Sequence, residues 1–131
     1  MTTLLSIDPG RDKCGVAVVA GNCVLHSAIV LRSQISSATV KILSDFEIDQ
    51  IIIGNGTGSH SVIEDITTAA ESIRVTIVDE SHSSRRARDR FFKENPPKGL
   101  RRLIPHGLLT PERPYDDITA IILAEDFLSR T

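Results

Sequence analysis

Leu4-Leu5-Ser6-Ile7-Asp8-Pro9-Gly10-Arg11-Asp12-Lys13-Cys14-Gly15-Val16-Ala17-Val18-Val19 is the stretch from which the fold can be read. An apolar run of strand character ends on a carboxylate, turns at Pro-Gly and returns as a second apolar run. Burying an acid at the end of a core strand costs free energy unless a positive partner accompanies it. Asp8 therefore needs an explanation beyond the turn. A third β-rich run, 23–32, follows Gly21-Asn22, a tight connection that predicts antiparallel pairing.

Downstream the period changes. From Ser36 to about Glu47 the spacing is helical, with Ala38, Val40, Ile42, Leu43 and Phe46 as its mostly apolar face. Ile48 to Ile53 reads as a short strand buried on both sides, as in a parallel sheet. The loop Gly54-Asn55-Gly56-Thr57-Gly58-Ser59 feeds a helix over 60–73, and Val75 to Val78 reads as another buried strand ending at Asp79-Glu80. A charged helix over 83–94 follows. Residues 95–114 carry Pro96, Pro97, Pro105, Pro111 and Pro114 and cannot be helical throughout. Asp116 or Asp117 opens a last helix reaching about Ser129. Three consecutive strands followed by alternating helices and strands predict an α/β fold with a mixed five-stranded sheet. No internal repeat or second domain is visible, so 1–131 reads as a single domain.

The 131 residues are 40% hydrophobic and 24% charged, values of a soluble globular chain. No apolar run is long enough to span a bilayer and no secretory leader pattern is present, so the cytoplasm is the expected location. Cys14 and Cys23 lack a CxxC spacing and read as small buried residues of one hairpin; the four histidines match no zinc pattern. The formal net charge is −2, but its distribution is uneven. Between Arg85 and Arg113 nine Lys or Arg face three acids, a net +6 that leaves −8 on the rest of the chain. Such a window suits a phosphate backbone, and Arg85, Arg86, Arg88 and Arg90 with Lys98, Arg101 and Arg102 are the candidate nucleic-acid-binding residues. Aromatic residues are few, so backbone or shape recognition is expected over base stacking.

Three acids distant in the chain fall at comparable places. Asp8 closes the first strand, Glu80 follows the last parallel strand, and Asp116 begins the final helix. Functional groups of α/β sheets gather beyond the carboxyl ends of neighbouring strands. Carboxylates ~4 Å apart would repel by about 4 kcal/mol per pair at an effective dielectric of ~20. A hard divalent cation, Mg²⁺ or Mn²⁺, resolves that conflict. Two such ions can serve phosphodiester hydrolysis by stabilising the attacking and leaving oxygens. Each acid also has a structural alternative: Asp8 as a turn residue, Glu80 as a strand cap, and Asp116 as a helix N-cap. The Gly54-x-Gly56-x-Gly58 loop lacks the GxGxxG pattern of dinucleotide sites and reads as a tight turn able to touch a phosphate.

These segments carry a family resemblance. "IDPGRDKCGVAVV" resembles the first strand and hairpin of the YqgF (RuvX) and RuvC nuclease families. "VDESHSSRRAR" is similar to the YqgF segment in which Asp-Glu precedes Ser/Thr and Ala-Arg, and "DDITAIILAEDFL" to that family's final helix. The resemblance implies an RNase H-like fold of the RuvC/YqgF type with helices on both faces of the sheet. It also implies a metal-dependent nuclease with catalytic, metal-binding Asp8, Glu80 and Asp116, and Mg²⁺ or Mn²⁺ as cofactor. The partners implied are structured RNA, namely precursor 16S ribosomal RNA, or branched DNA of Holliday-junction type. Monomer and homodimer both stay open. The alternative function is a non-catalytic module that binds RNA, DNA or protein on the same fold. An actin-like or sugar-kinase ATP-binding unit is disfavoured, since those need two facing domains.

Overall fold

The computed structural model describes residues 2–21, 23–56, 58–79 and 116–130, the side chains of Asp116, Ser129 and Arg130 excepted. The helix expected over 83–94 and the proline-rich segment 95–114 lie outside the described residues. Five strands form one sheet: β1 (Thr3–Asp8), β2 (Lys13–Ala20), β3 (Cys23–Leu31), β4 (Gln50–Gly54) and β5 (Arg74–Val78). Their spatial order is β3-β2-β1-β4-β5. β1 with β2 and β2 with β3 are antiparallel, whereas β1 with β4 and β4 with β5 are parallel. Among the described residues the helices are α1 (Ile35–Asp45), α2 (Ser59–Ala69) and α3 (Asp116–Arg130).

The sheet separates two apolar layers. On one side Leu5, Ile7, Val16, Val18, Ile51 and Ile53 pack with Ile35 and Ile42 of α1 and with Val62 and Ile66 of α2. On the other, Leu4, Ala17, Val19 and Ile52 pack with Ala120, Ile121, Leu123 and Ala124 of α3. Strand alternation explains the division, since successive β1 residues point to opposite faces. Small residues at i and i+4 of α3 (Ala120, Ala124) are buried in the same layer as the small Ala17. A hydrogen-bonded clamp fixes the chain where β1 begins. The Thr3 amide donates to the Asp49 carboxylate at 2.8 Å, and the Asp49 amide donates to the Thr3 carbonyl at 2.9 Å.

Several local expectations change. The buried face of α1 is Ile35, Thr39 and Ile42, while Val40 is exposed. The helix begins one residue before Ser36, after a short 3-10 turn over Arg32–Gln34, and ends at Asp45. β5 is an edge strand, which leaves Ile77 exposed rather than buried. α2 stops at Ala69; Ala70 packs into the core, and the chain tightens there as the Ile73 amide donates to the Ala70 carbonyl at 3.1 Å. Cys14 is buried as expected, but Cys23, at the start of an edge strand, is exposed.

Candidate active site at the carboxyl edge

Asp8 is the last residue of β1 and is half-buried. Counting back by twos gives Ser6 and Leu4, so all three belong to the face covered by α3. The register supplies their neighbours: Leu4 pairs with Val19, Ser6 with Ala17, and Asp8 with Gly15. From the amino to the carboxyl edge the pairs run Leu/Val, Ser/Ala and Asp/Gly, shrinking and becoming more polar. On the β4 side Ile7 pairs with Ile53, so the next row sets Gly54 beside Asp8. The carboxylate thus stands between two strands that offer no side chain at its level. Space beside an anionic oxygen donor is what a ligand requires.

The loops around Asp8 close in on backbone alone. A β-carbon built on Gly10 would collide with the Lys13 carbonyl oxygen, so the turn after Asp8-Pro9 takes no side chain there. Gly58, the N-cap of α2, has φ 78°, the left-handed region glycine tolerates. A β-carbon at Gly58 would lie 3.4 Å from the Gly10 carbonyl oxygen, so the β4–α2 loop rests against the β1–β2 turn. The first turn of α2 carries no acidic residue. The ladder between β4 and β5 runs one step past the strands, the Asn55 amide donating to the Val78 carbonyl at 3.0 Å.

The remaining candidates are placed unequally. Gly54 pairs with Val78, so Asp8, Gly54 and Val78 share one row. β4 stands between β1 and β5, and two strand spacings separate their ends, about 9–10 Å. Glu80 comes two residues after Val78 in the sequence and lies outside the described residues, as do Arg85, Arg86, Arg88, Arg90, Lys98, Arg101 and Arg102. Asp116 is the first residue of α3. Phe127 and Leu128, near that helix's other end, line a cavity of about 350 Å³ with Thr2, Gln50, Arg74 and Thr76. Leu123, Asp126 and Phe127 line a second, smaller cavity with Val78 and Asp79. The C-terminal half of α3 therefore lies toward β5 and the amino ends of β1 and β4. Among the described residues no three His, Cys, Asp or Glu side chains come together as a metal-ligating group. Of the three acids, only Asp8 has its side chain among them. The donor chemistry fits a hard divalent ion: Asp8 offers carboxylate oxygen, and no histidine or thiolate is called on.

The sequence reading gives Gly54 a place in a turn able to touch a phosphate but sets neither it nor Gly15 beside Asp8, and it leaves Ser6 out. The signal for Ser6 was present, two residues before Asp8 on the same face. That for Gly15 and Gly54 needs the hairpin and parallel registers, which a single chain does not display.

No protein-family model matches the sequence, and no curated protein matches it. Solved structures do. Thermus thermophilus RuvC in complex with a Holliday junction substrate superposes with a TM-score of 0.63 over 99% of this chain and 96% of that one, at 17% identity. A second Thermus thermophilus RuvC structure gives a TM-score of 0.60 over 98% and 96%, again at 17% identity. The chain has the RNase H-like fold of the RuvC type, with the expected mixed five-stranded sheet and helices on both of its faces. Among the described residues no helix is long and apolar enough to cross a membrane.

Proposed function

We propose that this chain is a divalent-cation-dependent nuclease that hydrolyses phosphodiester bonds in structured nucleic acid. The observation that carries this reading is the setting of Asp8, a half-buried carboxylate at the carboxyl edge, flanked by Gly15 and Gly54. Asp8, Glu80 and Asp116 are the residues that would hold Mg²⁺ or Mn²⁺. When bound, the ion supplies Lewis-acid chemistry: it acidifies water and neutralises charge on the phosphate. The protein's own part is positional. Asp8 offers its oxygens from a rigid strand rather than a loop, which limits their spread. Glycines at its level leave room for a phosphate group.

Arg85, Arg86, Arg88 and Arg90, with Lys98, Arg101 and Arg102, would hold the phosphate backbone. The likeness to junction-bound RuvC favours a four-way DNA junction as substrate. The YqgF-like motifs around Asp8, Glu80 and Asp116 favour precursor 16S ribosomal RNA. A test presents both substrates, with and without Mn²⁺, to the wild type and to Asp8→Asn. We expect Mn²⁺-dependent cleavage of at least one substrate, reduced about a thousandfold in the variant. Binding without turnover, equal in both proteins, would instead identify the chain as a non-catalytic nucleic-acid-binding module.

A further inference from the structure

The β2 flank of the Asp8 edge carries a cation that the proposed function does not use. Cys14 belongs to the layer packed against α1 and α2, and Ala17 to the layer under α3. Strand alternation therefore sets Lys13 and Gly15 on the α3 side, the side of Asp8. Gly15 stands opposite Asp8, and Lys13 comes two residues before Gly15, just beyond the end of β1. Lys13 is thus the diagonal cross-strand neighbour of Asp8, with α-carbons about 7–8 Å apart, within reach of a long side chain. The position beside it on that face of β2 is the glycine, so no β2 side chain stands between the two.

The lysine is exposed, but its backbone is held. A β-carbon on Gly10 would collide with the Lys13 carbonyl oxygen, so the turn folds directly onto that peptide. The Arg32 amide donates to the preceding carbonyl, that of Asp12, at 2.8 Å, and Lys13 pairs with Leu31. The Arg32 guanidinium in turn donates to the Asp65 carboxylate of α2 at 2.8 Å. These fixtures set where the Lys13 side chain starts relative to Asp8. Leu31, opposite Lys13 and 52% exposed, offers an apolar surface to the lysine stem. Arg32 pairs with Asp65 and Lys41 with Asp45, whereas the Lys13 ammonium has no carboxylate partner among the described residues. Its exposed neighbours Arg11 and Asp12 cancel in charge. A cation of fixed origin and without an ion-pair partner, beside the candidate metal-binding carboxylate, is placed for an anionic ligand.

We propose that Lys13 is a phosphate-binding residue, which holds the nucleic-acid backbone on the β2 flank of Asp8. The basic residues already assigned to the backbone all follow β5 in the chain. β5 lies two strands from β1 on one side, and Lys13 lies one strand away on the other. Lys13 therefore anchors the backbone on the flank away from β5. Its ammonium acts as a point charge on a phosphate oxygen, so it positions the substrate and reads no base. The proposal rests on the reading of this chain as a nucleic-acid-binding protein, but not on turnover.

Fluorescence anisotropy of the full chain with a four-way DNA junction and with a precursor 16S ribosomal RNA fragment tests it, over about 50–200 mM salt. EDTA is present, so that no divalent ion supports cleavage. Lys13→Gln should flatten the slope of log affinity against log salt by about 0.7–0.9, the value of one phosphate contact. At about 100 mM salt it should weaken binding roughly 3–10-fold. Lys13→Arg should restore the wild-type slope. Lys41→Gln, which removes an exposed charge from α1 on the other face of the sheet, should leave it unchanged. All three variants should melt with the wild type, since both positions are exposed. A wild-type slope in Lys13→Gln, or a loss that Lys13→Arg does not restore, overturns the proposal and leaves the nuclease reading in place. So does an equal loss in Lys41→Gln, which would mark a general effect of charge. A wild type that binds neither nucleic acid overturns the proposal together with the reading beneath it. A slope that depends on Lys13 in a chain that cuts nothing with Mn²⁺ supports the proposal and rejects the nuclease.

Discussion

The two faces of one sheet are built to different rules. Toward α1 and α2, the rows Leu5/Val18/Ile51 and Ile7/Val16/Ile53 keep large aliphatic side chains from one end of the strands to the other. Toward α3, the same strands give up volume step by step, from Leu4/Val19 through Ser6/Ala17 to Asp8/Gly15. The first face is a packed core. The second begins as core and ends at a carboxylate set opposite a glycine. Strand alternation alone sets the packed face apart from the face that carries Asp8.

That contrast can be broken by substitution. The largest stability loss should come from the aliphatic face. Ile53→Ala, at a fully buried position, should cost about 2–5 kcal/mol in urea unfolding. A loss under 1 kcal/mol would mean that this face is not close-packed. On the α3 face the expected fault is overfilling. Ala124→Leu should cost about 1–3 kcal/mol, because Ala124 is fully buried where helix and sheet meet. Stabilisation by leucine would reveal a void instead. The smallest effect belongs to Ser6, whose hydroxyl is buried and makes no hydrogen bond among the described residues. An unsatisfied buried hydroxyl carries a desolvation penalty, so Ser6→Ala should be neutral or stabilising by about 1 kcal/mol. A clear destabilisation would show that the hydroxyl has a partner in solution.

Much of this design was legible in the chain. The meander, the apolar β4 and the placement of Asp8 at a strand end follow from periods of two, Gly/Pro punctuation and burial cost. Val40 fits a helical face phased on apolar content, but α1 turns Thr39 inward between Ile35 and Ile42 instead. Ile77 misled because an aliphatic strand looks the same at the edge of a sheet as in its centre. The glycines beside Asp8 were invisible for a deeper reason: which residue stands opposite an acid is a property of register. Glu80 and the basic residues from Arg85 to Arg102 belong to the site only as proposals from sequence, and Asp116 adds its position at the start of α3.

The central claim is that Asp8, Glu80 and Asp116 form an anionic group whose charge is balanced by a divalent ion. Thermal unfolding of wild type and Asp8→Asn, without divalent ions and in about 10 mM Mg²⁺ or Mn²⁺, tests it most directly. Without the ion, the variant should melt a few degrees higher, since 1 kcal/mol of relieved repulsion corresponds to about 3–5 °C in a chain of this size. With the ion, only the wild type should gain, because binding to the native state is itself stabilising. A variant that melts lower in both conditions, beside a wild type that gains nothing from either ion, would contradict the account.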